Sequence, residues 1–184
     1  GNMRTAQLKH LYATTQNELR YNEIARQIYE TSFPEDERRN FDLLKAIDEK
    51  SNLDFFVITD NQANAIGIIS LWFFEEFIYI EHFATQQNER GKGIGSNVLS
   101  TLANKYSKPI LLEVELPEND LAKRRIAFYQ RHGFAVQPYD YTQPAYDKTK
   151  QSLPMIVMIK ADFEITKRFF DSAIATIYKD VYGL

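Results

Sequence analysis

The run Arg90-Gly91-Lys92-Gly93-Ile94-Gly95-Ser96 sets three glycines at the start of a strongly amphipathic stretch. Glycine loses more backbone entropy on ordering than any other residue, so a helix start built from it needs a reason. Amides in a first helical turn have no partner within the helix and carry the positive end of its dipole. Where no Cβ intervenes, such amides can approach a phosphate closely. The pattern therefore predicts a phosphate cradle between a strand and a helix, with Arg90 and Lys92 adding positive charge. A glycine-rich turn that holds no ligand is the plainer alternative.

Two familiar phosphate motifs fit poorly. The Walker pattern G-x-x-x-x-G-K-[ST] is absent, and G-x-G-x-x-G fails at its last position, where Ser96 stands. Glu113 lies about 20 residues on, as a dinucleotide site favours. Such a motif belongs in a parallel βαβ unit, whereas short turns here imply antiparallel hairpins before the glycines.

Periodicity places the surrounding elements. Strands are expected at residues 6–14, 54–59, 65–74, 77–85, 110–116, 134–139 and 155–160. Helices are expected at 22–30, 35–50, 93–106, 121–132 (closed by Gly133) and 163–182. The result is an α/β (α+β) fold: a mixed, mostly antiparallel sheet of about seven strands, flanked by helices. No repeat or long linker splits it, so residues 2–184 read as one domain, with 163–182 as a C-terminal helical extension. The apolar stripe of that last helix fits its own domain better than a partner, although a homodimer would also cover it.

Composition narrows the class. A chain of 184 residues can bury roughly 70% of its unfolded surface. A net charge of -3 gives no general attraction to nucleic acid or to an anionic membrane. The chain has no cysteine, which excludes a thiolate metal site and a cysteine nucleophile and fits a cytoplasmic setting. No metal-ligand spacing is evident, and His10 and His132 have no partner nearby in sequence.

Two motifs carry a family resemblance. Arg90-Gly91-Lys92-Gly93-Ile94-Gly95 resembles the Q/R-x-x-G-x-G/A signature of the GNAT N-acetyltransferases. Residues 79–85 resemble that family's fourth strand, and Tyr129-Gln130-Arg131-His132-Gly133-Phe134 its helix ending in Y-x-x-x-G-F. The resemblance implies acetyl-coenzyme A as cosubstrate and acetyl transfer to a primary amine, on a small molecule or a peptide. It implies that Arg90, Gly91, Lys92, Gly93, Ile94, Gly95 and Ser96 hold the pyrophosphate. Backbone groups of Phe83, Ala84 and Thr85 would pair with the pantetheine arm, where the fourth and fifth strands splay. One departure stands out: many members carry an asparagine about seven residues before the tyrosine, and here that position is Ala122. The neighbouring Lys123-Arg124-Arg125 triplet either meets phosphates or forms a solvated face.

The implied chemistry needs a base for the amine proton and an acid for the departing thiolate. With no cysteine, direct attack in a ternary complex is the simpler route, an amide such as that of Ala84 holding the oxyanion. Tyr129, which matches the family tyrosine, is the expected acid; packing is its alternative role. Glu81 and Glu113 compete as base, each otherwise a solvated or ion-paired strand carboxylate. His82 faces away from Glu81 on an extended strand and reads as structural. Phe33, Pro34, Glu37 and Tyr79, with the tyrosines of 139–146, are expected to border the acceptor. A catalytically silent acyl-coenzyme A sensor is the competing reading.

Overall fold

In the computed structural model, which describes residues 5–184, the alternating apolar segments form one eight-stranded sheet. Its strands are β1 (Gln7–His10), β2 (Leu53–Thr59), β3 (Ala65–Phe73), β4 (Ile78–Thr85), β5 (Ile110–Glu115), β6 (Ala135–Val136), β7 (Tyr141–Gln143) and β8 (Leu153–Lys160). The helices are α1 (Thr15–Ser32), α2 (Leu44–Lys50), α3 (Ile94–Lys105), α4 (Asp120–Arg131) and α5 (Lys167–Thr176). The chain forms two compact units. The first holds the chain through Phe73 together with Glu81–Ser107, and the second holds Phe74–Ile80 with Lys108–Leu184. Strand β4 passes from one unit to the other after Ile80. Among the described residues, no helix is long and apolar enough to cross a membrane.

In the first unit, β2 pairs antiparallel with β1 and with β3. Phe55, Val57, Ile68 and Ile69 are fully enclosed. Helix α1 begins where Thr14 caps it, its hydroxyl accepting from the Asn17 amide at 3.1 Å. The helix buries Tyr21, Ala25, Ile28 and Tyr29, which lie on one face at helical spacing. Each large side chain buried this way contributes about 1.5–3 kcal/mol. In the second unit, β4 pairs parallel with β5 over Ile78–Ile80 against Ile110–Leu112. Strand β5 then pairs antiparallel with β8, which also pairs with β6 and β7. Asn119 caps α4 by accepting from the Ala122 amide at 2.9 Å. Gly133 ends that helix at φ +87°, donating to the Gln130 carbonyl at 3.1 Å.

Several expected boundaries are corrected. Helix α1 starts at Thr15, not residue 22, and β1 ends at His10. The helix expected over 35–50 is two 3-10 turns, Glu35–Glu37 and Phe41–Leu43, followed by the short α2. Between the turns the Arg39 amide donates to the Tyr29 hydroxyl at 2.8 Å, so it is not available to a helical carbonyl. The late strand at 134–139 shrinks to Ala135–Val136, and β7 forms within what reads as a loop. The last helix starts at Lys167 and finishes as a π turn over Ile177–Val181. His10 does have a partner: its Nε2 donates to Asp48 Oδ2 at 2.8 Å, tying β1 to α2.

Candidate active site

The glycine run lies between β4 and α3. Gly91 and Gly93 both take the left-handed conformation, at φ +81° and +79°. Only glycine adopts it without a Cβ penalty of about 1–2 kcal/mol. Gly93 is the residue before α3, and the first helical bond runs from Asn97 N–H to the Gly93 carbonyl at 3.0 Å. The amides of Ile94 and Gly95 precede this first helical bond. This is the arrangement a diphosphate requires, so the residues fit that group. Arg90 and Lys92 are exposed, and Lys92 lies 3.6 Å from the buried Glu89. Beside the loop is a polar cleft of about 370 Å³, bordered by Gln27, Thr31, Thr85, Gln86, Asn88 and Arg90.

Phe83, Ala84 and Thr85 run half-buried along β4 toward this loop. Just before them, Glu81 is deeply enclosed. Its side chain is 1% exposed and its Oε2 accepts from Arg39 Nε and Nη2, both at 3.0 Å. Its Oε1 accepts from Trp72 Nε1 at 2.8 Å. An arginine ion pair opposes proton uptake by a carboxylate. The Glu81 carboxylate is thus built into the first unit, joining β4 to β3 and to the loop after α1.

His82 supports the same loop, and it does not face away from Glu81 as expected: its Nδ1 lies 4.0 Å from Glu81 Oε2. Its Nε2 donates to the Glu37 carbonyl at 2.7 Å, and its ring packs edge-on against Tyr29 and Phe33. Burial holds its pKa below the usual 6.5, although the Glu81 charge and the Glu37 bond oppose the shift. A histidine kept neutral by burial stabilises the fold fully above its unfolded pKa, and that contribution is lost as pH falls below it. The urea midpoint is therefore expected to drop between pH 7.5 and pH 5. His82→Gln should show a clearly shallower drop; an equal slope in the variant would place the acid sensitivity elsewhere. Of the residues expected to border the acceptor, Phe33 and the Glu37 backbone are engaged with His82, and Pro34 is exposed. Tyr79 lies in the second unit and is 1% exposed.

In the second unit, Tyr129 sits half-buried on α4, its ring 5.6 Å from that of Phe134. Desolvation pushes its pKa up to about 12, against the lowering effect of Arg125 one turn earlier. It is therefore a firmly protonated donor at neutral pH. Of the basic triplet, Lys123 and Arg124 are exposed, while Arg125 lies 4.0 Å from Glu115.

Glu113 on β5 has partners that sequence reasoning did not foresee. Tyr141 of β7 donates to Glu113 Oε2. Tyr182, just after the π turn, donates to Oε1 at 2.8 Å and reaches Oε2 at 3.1 Å. Burial and the Glu113 charge raise the pKa of both phenols. The only signal in the sequence was the density of tyrosines at 139–146 and at the chain's end, which reads equally as core.

Comparison with known proteins bears on the family and the fold. Residues 20–134 match the model of the acetyltransferase (GNAT) family. A Bacteroides thetaiotaomicron structure, described as a candidate GNAT-family acetyltransferase, is 34% identical with a TM-score of 0.85. The alignment covers 97% of this chain and 98% of that one. A candidate acetyltransferase of Bacillus subtilis (strain 168), YjbC, is 40% identical over 63 residues. That stretch is 33% of this chain and about a third, 32%, of the curated relative's length. Arabidopsis thaliana Naa50, solved with the bisubstrate analogue CoA-Ac-MVNAL, shares the fold at TM-score 0.60 and 19% identity, covering 85% of this chain and 99% of that one. With the family model spanning more than half its length, the chain belongs to the acetyltransferase (GNAT) family, whose chemistry is acyl transfer from acetyl-coenzyme A.

Proposed function

We propose that this protein acetylates a primary amine, on a small molecule or a peptide, by direct attack of the amine on acetyl-coenzyme A. The observation that supports the reading is the pair of left-handed glycines, Gly91 and Gly93, immediately before the first turn of α3. Bound there, acetyl-coenzyme A supplies the activated acetyl group. The amides of Ile94, Gly95 and Ser96 hold its phosphates, and the β4 backbone at Phe83–Thr85 aligns its arm. Glu113 takes the proton that the amine loses as its nitrogen bonds to the acetyl carbon. Tyr129 donates a proton to the sulfur as the carbon–sulfur bond breaks, and the proton held by Glu113 restores the phenol through water. Glu113 is the better base because neutral phenols donate to it, whereas Glu81 is paired with a guanidinium. A single domain acting in the cytoplasm without a metal is consistent with this chemistry.

Free-thiol release from acetyl-coenzyme A across polyamines, aminoglycosides, amino acids and peptide N-termini tests the function. At least one class should be turned over. Silence across the panel, with tight coenzyme A binding, would instead make the protein a sensor. With the acceptor found, Tyr129→Phe should lower kcat about 10²-fold while leaving coenzyme A affinity within twofold. Unchanged kcat would remove Tyr129 from the chemistry and leave it a packing residue against Phe134.

A further inference from the structure

The C-terminal helix reads from its sequence as a cover for apolar surface, yet its last turn is specialised. Helix α5 gives way to a π turn over Ile177–Val181. Such turns re-aim the side chains around them and often occur at functional sites. Here the turn is followed by Tyr182, whose hydroxyl reaches the Glu113 carboxylate from 69 residues away in sequence. The placement is held at several points. Tyr178 donates to the Thr142 carbonyl at 2.6 Å, and the Tyr146 ring lies 5.1 Å from that of Tyr182. Tyr141 reaches the same carboxylate from β7. Both phenols lie beyond residue 134, where the match to the family model ends.

We propose that Tyr182 and Tyr141 are positioning residues for Glu113: the C-terminal turn and β7 fix the carboxylate's orientation and keep it ionised until the amine arrives. The inference rests on Glu113 being the base. Two buried O–H donors stabilise the anion of a carboxylate more than its acid form. They also leave Glu113 in one orientation on a strand already in register with Val157 of β8. The phenols of Tyr141, Tyr178 and Tyr182 are among the groups that face Glu113, and Tyr79 and Tyr146 face Tyr182. Glu115, two residues on, is beside Arg125. The two hydroxyls of the clamp are neutral donors, so removing either should raise the proton affinity of Glu113.

The test compares Tyr182→Phe and Tyr141→Phe with the full-length parent. The rings are kept, and circular dichroism checks folding. Carboxyl-detected NMR of ¹³C-glutamate-labelled protein, with the Glu113 signal assigned by its loss in Glu113→Gln, follows the titration without any acceptor. Each Phe variant is expected to move the Glu113 midpoint up by about one pH unit. The acid limb of kcat/KM should move with it, while KM for acetyl-coenzyme A stays within twofold. An unmoved midpoint in both variants overturns the clamp. If Tyr182→Phe alone fails to fold, Tyr141→Phe decides by the same criterion. Should Glu113→Gln keep parental turnover, the base assignment fails instead, even if the midpoints have shifted, and the catalytic role of the clamp falls with it.

Discussion

Gly93→Val is expected to weaken coenzyme A binding about 100-fold while costing the fold only about 1–2 kcal/mol. Gly93 stands at φ +79° and ψ +11° immediately before α3. A β-branched residue cannot remain there without strain, so the turn must relax toward negative φ. That relaxation rotates the amides of the first helical turn away from their common focus. An N–H bond to a charged acceptor contributes about 1.5–3 kcal/mol, so losing two of them reaches or exceeds the ~2.7 kcal/mol that a factor of 100 requires. Isothermal titration with coenzyme A measures the effect, and urea denaturation checks the fold. Lys92→Ala makes a useful contrast. Its side chain is 43% exposed and near Glu89, so the loss should be a few-fold and should fade with added salt. Parental affinity in Gly93→Val would remove the cradle and, with it, the main support for the proposed function.

The strand-to-helix turn at the glycine run was legible because its signal is local. Positive φ is written in the glycines themselves, and the stripe Ile94, Val98, Leu99 and Leu102 is buried as its spacing implies. The hairpins and the closure of α4 at Gly133 were legible for the same reason. What could not be read depends on contacts distant in sequence. Residues 35–50 carry helical periodicity, yet the Arg39 amide bonds to the Tyr29 hydroxyl and its guanidinium reaches Glu81, 42 residues on. Those bonds outweigh a helical propensity of a few tenths of a kcal/mol per residue. The start of α1 was missed because its first two turns are mostly polar, and only the Thr14 cap marks them.

The two glutamates show the same limit at the site. On sequence alone Glu81 and Glu113 are competing strand carboxylates near a motif, with Glu81 the favoured base, and the partners of neither can be read. Those partners separate the two. Glu81 meets a cation and an indole, whereas Glu113 meets phenols from β7 and the chain's end. A base is defined by what stabilises its protonated and ionised forms, and those groups were brought in by topology.

That difference makes the loop after α1 the most sensitive point of the first unit. Arg39→Ala should destabilise the protein by about 3–5 kcal/mol, because it leaves a carboxylate that is 1% exposed without the arginine. With a urea slope of about 2 kcal/mol/M, the midpoint falls by roughly 2 M. The chain's one tryptophan, Trp72, donates to the same carboxylate, so its fluorescence reports the change from inside the cluster. Glu81→Gln should also destabilise, since it leaves the guanidinium without the anion. The pair Arg39→Met with Glu81→Leu should cost less than the two single changes added together, because neither charge is then stranded. Turnover separates structure from catalysis. At a temperature where Glu81→Gln remains folded, kcat should stay within a few-fold of the parent if the carboxylate only anchors the loop. A fall of 10² or more, with the midpoint corrected for, would return Glu81 to the role of base and transfer the structural role to Glu113.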